Sequence, residues 1–252
     1  MSLLSFLFKV ITQASQSGTP AHAAPTGQAA GGAPRPTPTS AHQRSPSQQP
    51  VRTIYGPDRT GITAFHDNGF VVAKPALAHA AWLQERTAKL PEKVSGSYTN
   101  ITDGLRVSLE LLKNAPPGCL KRIYLLTDGR PNRDTGSLMA VVEEARRWHV
   151  NINTIGFGDP QSREYDPQLL RRIAAATHNG KFIEVDSLRK LSEALVRGGS
   201  QGQGGGRHRS ETSILAVDCS GSMMLPMEGK RRIDVVVEAI THLLHYKQQC
   251  FS

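Results

Sequence analysis

Thr212-Ser-Ile-Leu-Ala-Val217 runs directly into Asp218-Cys219-Ser220-Gly221-Ser222. From Ile214 to Val217 the residues are apolar on consecutive positions. Both faces of such a strand need cover, so it belongs inside a sheet and not at its edge. The next five residues set one carboxylate and two hydroxyls on alternating positions, and Gly221 lets the chain curl so that they turn toward one point. All three oxygens are hard donors. They suit Mg²⁺ or Mn²⁺ and not zinc. Taken alone, the same string also reads as a hydroxyl-rich turn, because Ser, Asp and Gly are ordinary turn formers.

The strand, this loop and a helix over 233–246 cannot build a core by themselves. The rest of the sheet must come from upstream. Residues 61–65 and 70–73 read as two strands joined by His66-Asp-Asn-Gly69, where Asn68-Gly69 is a strong hairpin signal, and Pro75 is expected to stop the second. Helical spacing covers 77–90, ended by Pro91, and 100–114, ended by Asn114-Ala-Pro-Pro-Gly118. Arg122-Ile-Tyr-Leu-Leu-Thr127 is a nearly continuous apolar run, as in a buried parallel strand. A helix at 135–148 follows, then a strand at 150–156, and a helix from Asp166 to Ala176 with Pro167 just inside its start. A strand at 181–185 and a short helix at 187–196 complete the series. Strand and helix alternate throughout. The expected fold is α/β: a doubly wound, mostly parallel six-stranded sheet with one antiparallel edge strand and helices on both faces.

The remaining segments are low in apolar residues. The chain has 252 residues, of which 38% are hydrophobic, and the deficit is concentrated at 16–55. That Pro/Gly/Ala/Ser-rich stretch buries too little to offset backbone entropy and is expected to be a disordered linker. Ahead of it, residues 1–15 form a short apolar segment interrupted by Lys9, which suits docking to a protein or membrane surface better than a secretory leader. No stretch reaches the length of a membrane span. Residues 198–210 are a Gly-rich linker. The net charge of +9 is spread without a dense Lys/Arg block, so specific nucleic-acid binding is not expected. Three cysteines without a CxxC pair exclude a disulfide scaffold and fit a reducing compartment, giving a cytoplasmic expectation. Cys219 reads as a small buried filler. The histidines are scattered, and no P-loop occurs.

Asp218-x-Ser220-x-Ser222 at the end of an apolar strand resembles the metal-ion-dependent adhesion site of von Willebrand factor type A domains. Two other strings carry the rest of that pattern. Ser95-Gly-Ser-Tyr-Thr99-Asn-Ile-Thr-Asp-Gly-Leu105 resembles the family's threonine loop, with Thr99 the better match and Thr102 the weaker one. Leu125-Leu-Thr-Asp128-Gly129 resembles its later buried strand and acidic loop. Asn153-Thr-Ile-Gly-Phe-Gly158 is similar to the strand after that. The resemblance covers residues 60–197 and 211–247.

One departure is large: in the family the Asp-x-Ser-x-Ser strand comes first, and here it comes last. Residues 60–197 match the family from its second strand to its last helix, and 211–247 match its first strand, metal loop and first helix. The resemblance therefore implies a single circularly permuted, Rossmann-like domain over 56–252, a monomer whose linker at 198–210 joins the family's usual ends. A truncated tandem and a strand-swapped dimer are the alternatives.

The resemblance also implies roles. Asp218, Ser220 and Ser222 anchor a Mg²⁺ (or Mn²⁺), Thr99 reaches it directly or through water, and Asp128 holds a water. One coordination position is left for an acidic side chain of a protein partner. Around it, Met223, Met224, Lys230, Arg231, Arg130 and Tyr98 are the expected partner-binding rim, apolar and basic together. The competing reading of Lys230-Arg-Arg232 is a solvated helix start. The expected function is a metal-dependent protein-interaction module and not an enzyme, with a degenerate domain lacking metal dependence as the alternative and a metal-dependent hydrolase as the remote one.

Overall fold

The two-sided apolar runs occupy the middle of a six-stranded sheet. Its strands are β1 (Arg59–Phe65), β2 (Gly69–Leu77), β3 (Leu120–Thr127), β4 (Val150–Phe157), β5 (Phe182–Val185) and β6 (Glu211–Asp218), in the order β2-β1-β6-β3-β4-β5. Only β2 is antiparallel to its neighbour. The computed structural model describes residues 56–158, 164–199 and 209–250, all within the compact unit Arg52–Ser252. The expected apolar segment at 1–15, the linker at 16–55 and most of the Gly-rich stretch at 198–210 lie outside the described residues.

β6 sits between β1 and β3 and is parallel to both. Ile214 is opposite Gly61 on one side and Ile123 on the other. All eight of its residues are buried. This is the cover that consecutive apolar positions require.

Among the described residues six helices flank the sheet: α1 (Ala81–Ala88), α2 (Ile101–Lys113), α3 (Leu138–Arg147), α4 (Pro167–Ala175), α5 (Leu188–Gly199) and α6 (Arg232–Cys250). On one face, Leu105, Leu109 and Leu112 of α2, Val141 and Val142 of α3, and Leu170 and Ile173 of α4 share a core with Ile123, Leu125, Ile152, Ile214 and Ala216. Side chains alternate across a strand, so Tyr124, Leu126, Leu215 and Val217 point to the other face. There α5 and α6 pack on one another, and Tyr124 lies against Gly198 of α5. Gly104 permits the close approach of α2 to β1: a Cβ there would lie 2.5 Å from the Phe65 ring.

Several boundaries differ from the sequence pattern. Pro75 does not stop β2, which continues to Leu77. β2 is an edge strand, and Pro75 falls where the pairing with β1 is irregular, between Ala76 and Ala73; an edge tolerates the missing donor. The helix expected at 77–90 is consequently shorter, with Leu77 in the strand and Leu90–Lys93 forming a separate 3₁₀ turn around Pro91. The last short helix runs past 196 into the first glycines. The loop after Ser222 contains a small hairpin, β7 (Pro226–Met227) with β8 (Lys230–Arg231). Its two turn residues, Glu228 and Gly229, both have positive φ (51° and 78°), as a tight twisted hairpin requires.

At the end of the sheet away from the Asp218 loop, buried charges tie distant segments together. Lys247 of α6 pairs with Asp58 at 3.2 Å and donates to Ser213 of β6 at 3.1 Å. Asp58 accepts the Glu211 backbone N–H at 2.9 Å. Arg122 pairs with Glu211 at 3.1 Å and donates to the Gly198 carbonyl. Strand β1, strand β6 and the last turns of α5 and α6 thus meet in one polar cluster.

Candidate metal centre

Asp218 is the last residue of β6 and fully buried. Its Oδ1 accepts the Ser220 backbone N–H at 2.8 Å, which is the curl that Gly221 was expected to permit. Its Oδ2 accepts the Thr127 hydroxyl at 2.6 Å, locking β6 to β3 at their carboxyl ends. Ser220 Oγ lies 3.0 Å from Ser222 Oγ. Ser222 in turn donates to Asp128 Oδ1 at 2.7 Å. Five residues from two distant stretches of chain therefore form one continuous hydrogen-bonded line: Thr127, Asp218, Ser220 (through its backbone N–H), Ser222 and Asp128.

Thr99 reaches the same place from the third loop. It is 5% exposed, and its hydroxyl is 2.9 Å from where a Cβ on Gly129 would stand. Only a residue without a side chain leaves the Thr99 hydroxyl room beside the Asp128 loop. The threonine loop is held from several sides. Asn132 accepts the Thr99 N–H at 2.8 Å, Asp67 accepts the Tyr98 N–H at 3.2 Å, and Cys219 accepts the Ser95 N–H through its carbonyl at 2.9 Å. Asn100 caps α2 by accepting the Asp103 N–H, so Thr99 stands one residue before a fixed helix start. Thr102, the weaker candidate, donates to the Asp134 carbonyl at 2.7 Å and is engaged away from the carboxylates.

Electrostatically the centre is a concentrated pair of carboxylates. Burial, with the Asp128 charge second, holds the Asp218 carboxyl well above the ordinary carboxylate range. Asp128 is also raised by burial, against the opposing pull of Arg232 and the Ser222 hydroxyl. Burial and the neighbouring Asp218 push the Cys219 thiol up to about 12, so Cys219 is a neutral filler here, as its composition suggested.

Arg232 is a member of this centre, whereas the sequence left its basic run open between a partner-binding rim and a solvated helix start. It is 6% exposed. Nη1 donates to Asp128 Oδ2 at 2.8 Å and Nη2 to Glu164 Oε2 at 2.6 Å. A signal existed in the sequence: Arg232, Val236, Ile240, Leu243 and Lys247 follow helical spacing, and all five are buried.

The expected rim divides. Met223 is fully buried and cannot belong to it, because the 3₁₀ turn Gly221–Met224 directs its side chain into the core. Tyr98 and Met224 are 46% and 44% exposed, and Leu225, not anticipated, is 45% exposed. Lys230 and Arg231 are exposed but bonded within their own segment, to Glu238 at 2.6 Å and Asp234 at 2.6 Å. Arg130 is exposed and lines a groove of about 550 Å³ with Pro131, Leu138, Leu169 and Arg172.

The donors around Asp218 suit a small hard cation: carboxylate and hydroxyl oxygens without sulfur or imidazole. Among the described residues no cluster of three or more His, Cys, Asp or Glu is placed to hold a metal. Any ion here would depend on the hydroxyls.

Residues 57–196, more than half of the chain, match the model of the von Willebrand factor type A domain. The chain belongs to that family. Family members are in general non-catalytic interaction modules, and the match supports a module of that general kind here. Among solved structures, the VWA domain of SpRpn10 is similar at 16% identity and a TM-score of 0.40, over 50% of this chain and 64% of that one, less than two thirds of its length. An uncharacterized membrane spanning protein from Vibrio fischeri is similar at 20% identity and a TM-score of 0.27, over 54% of this chain and 72% of that one. No curated protein matches the sequence. Among the described residues no helix is long and apolar enough to cross a membrane.

Proposed function

We propose that this vWA domain binds a protein partner through a divalent cation, Mg²⁺ or Mn²⁺, held by Asp218, Ser220 and Ser222 with Thr99 and Asp128 in support. The observation that carries the reading is the hydrogen-bonded line from Ser220 through Ser222 to Asp128, which joins residues far apart in sequence on hard oxygen donors. When bound, the ion supplies a positive charge to which an acidic side chain of the partner attaches. Tyr98, Met224, Leu225 and Arg130 are the exposed side chains suited to flank that partner residue, with Lys230 and Arg231 at the margin. Free, sparse cysteines suit a reducing compartment such as the cytoplasm.

We further propose that the domain is circularly permuted and monomeric, residues 211–250 taking the position of the family's first strand and helix. Two observations support this. The family match ends at Val196, before β6, and β6 lies between β1 and β3. Sedimentation of the full chain at the mass of one copy is the expected result; twice that mass would mean that strand β6 is exchanged between chains.

The function is tested by capture of partners on immobilised full-length protein. Binding is expected in millimolar Mg²⁺, to be lost on chelation, and to be absent with Asp218→Ala, at folding indistinguishable by circular dichroism. Capture that survives both chelation and the substitution would assign the interaction to another surface.

A further inference from the structure

Arg232 breaks a local rule. It is the first residue of α6, where the helix dipole is positive and a cation is disfavoured. Its neighbours Lys230 and Arg231 avoid the problem by reaching solvent and pairing with Glu238 and Asp234 of the same helix. Arg232 instead enters the interior, and its guanidinium bridges Asp128 after β3 and Glu164 ahead of α4. Its contact atom on Asp128 is Oδ2, whereas Ser222 occupies Oδ1. The two oxygens of one buried carboxylate are thus shared between the hydroxyl line and a fixed positive charge.

We infer that Arg232 is a tethered counter-ion of the cation site, which orients Asp128 and competes electrostatically with the divalent ion. The inference rests on the cation-site reading above. A charge held against Asp128 lowers what that carboxylate offers an incoming ion, and Glu164 tempers the effect by drawing on the same guanidinium. Arg232 and Glu164 should therefore tune ion affinity in opposite directions. Removing the guanidinium frees Asp128 and raises affinity. Removing the Glu164 charge leaves the guanidinium acting on Asp128 alone and lowers it. A residue serving only to hold the loops together would weaken ion binding when lost, and the two variants would then change in the same direction.

The experiment titrates Mn²⁺ into the full chain and follows the free ion by electron paramagnetic resonance, for wild type, Arg232→Met, Arg232→Lys, Glu164→Gln and Asp218→Ala. Arg232→Met is expected to bind Mn²⁺ about tenfold more tightly, of the order a nearby unit charge can produce. In chelator it should also melt at a lower temperature, since the buried Asp128 and the partly exposed Glu164 have lost their shared counter-ion. Arg232→Lys, with the charge but not the fork, should fall between it and wild type. Glu164→Gln, altering a partly exposed side chain, should bind several-fold more weakly. It keeps the test decisive should Arg232→Met fail to fold. Arg232→Met that is folded yet binds no tighter than wild type overturns the inference alone, as does Glu164→Gln binding as tightly as wild type or tighter. Absence of Mn²⁺ binding in wild type and in Arg232→Met overturns the cation-site reading along with it. Binding that appears only in Arg232→Met, and vanishes when Asp218→Ala is added, supports both.

Discussion

Deleting residues 211–252 leaves a chain that does not fold. The deletion removes β6 from between β1 and β3, so both neighbours lose a complete ladder of backbone partners. It also removes α6, whose Ile233, Val236, Ile240 and Leu244 are buried, from one face of the sheet. Fully burying one such side chain contributes roughly 1.5–3 kcal/mol, and a domain has only about 5–15 kcal/mol of stability in total. Loss of four of these side chains and the central strand exceeds that margin. The fragment 52–199 should show no cooperative melt by circular dichroism, and adding back a peptide of 209–250 should restore one. A fragment melting cooperatively at the full-length temperature would mean that β6 is dispensable, against its place in the sheet.

Lys247→Met is expected to destabilise the full chain by about 3–5 kcal/mol, the range for removing one partner of a buried ion pair. The Lys247 and Asp58 side chains are 5% and 4% exposed. Without the ammonium, Asp58 keeps the Glu211 N–H but has lost its counter-charge in a site closed to water. The loss falls where β1, β6 and α6 join, so it weakens the hold of the C-terminal segment on the rest. For a domain of this size the melting temperature should drop by roughly 10 °C. Adding Asp58→Asn to Lys247→Met should recover part of the loss, because the stranded charge is gone while an acceptor for Glu211 remains. A change below about 1 kcal/mol for the single variant would show that water or a rearranged partner already satisfies Asp58.

The sheet was legible because its central strands are apolar on consecutive positions. Ile214 to Val217 and Ile123 to Leu126 allow no other burial, and their neighbourhood in the structure follows. The Thr99, Asp128 and Asp218 loops were legible for a different reason: each follows a strong strand or precedes a strong helix, so its position at one end of the sheet is set by the elements themselves. What escaped the pattern depended on tertiary context. Pro75 ends a central strand but not an edge strand, and only the pairing partner decides which it is. Met223 looked like a rim residue because it follows the hydroxyl string, yet a single 3₁₀ turn inverts its direction. Arg232 sat in a run of three basic residues that resembled a solvated face. Its burial is set by the phase of the stripe it shares with Val236, Ile240 and Leu243, and its partners Asp128 and Glu164 lie 104 and 68 residues away, beyond what any local pattern reports.

The central claim is that Asp218, Ser220 and Ser222, with Thr99 and Asp128, hold a divalent cation. Crystals of the full chain grown with Mn²⁺, measured at the manganese absorption edge, test it most directly. A single anomalous peak bounded by Asp218, Ser220 and Ser222, and absent from crystals of Asp218→Ala, is the predicted result. Crystals in which manganese occupies other sites while no peak lies against those three side chains would contradict it.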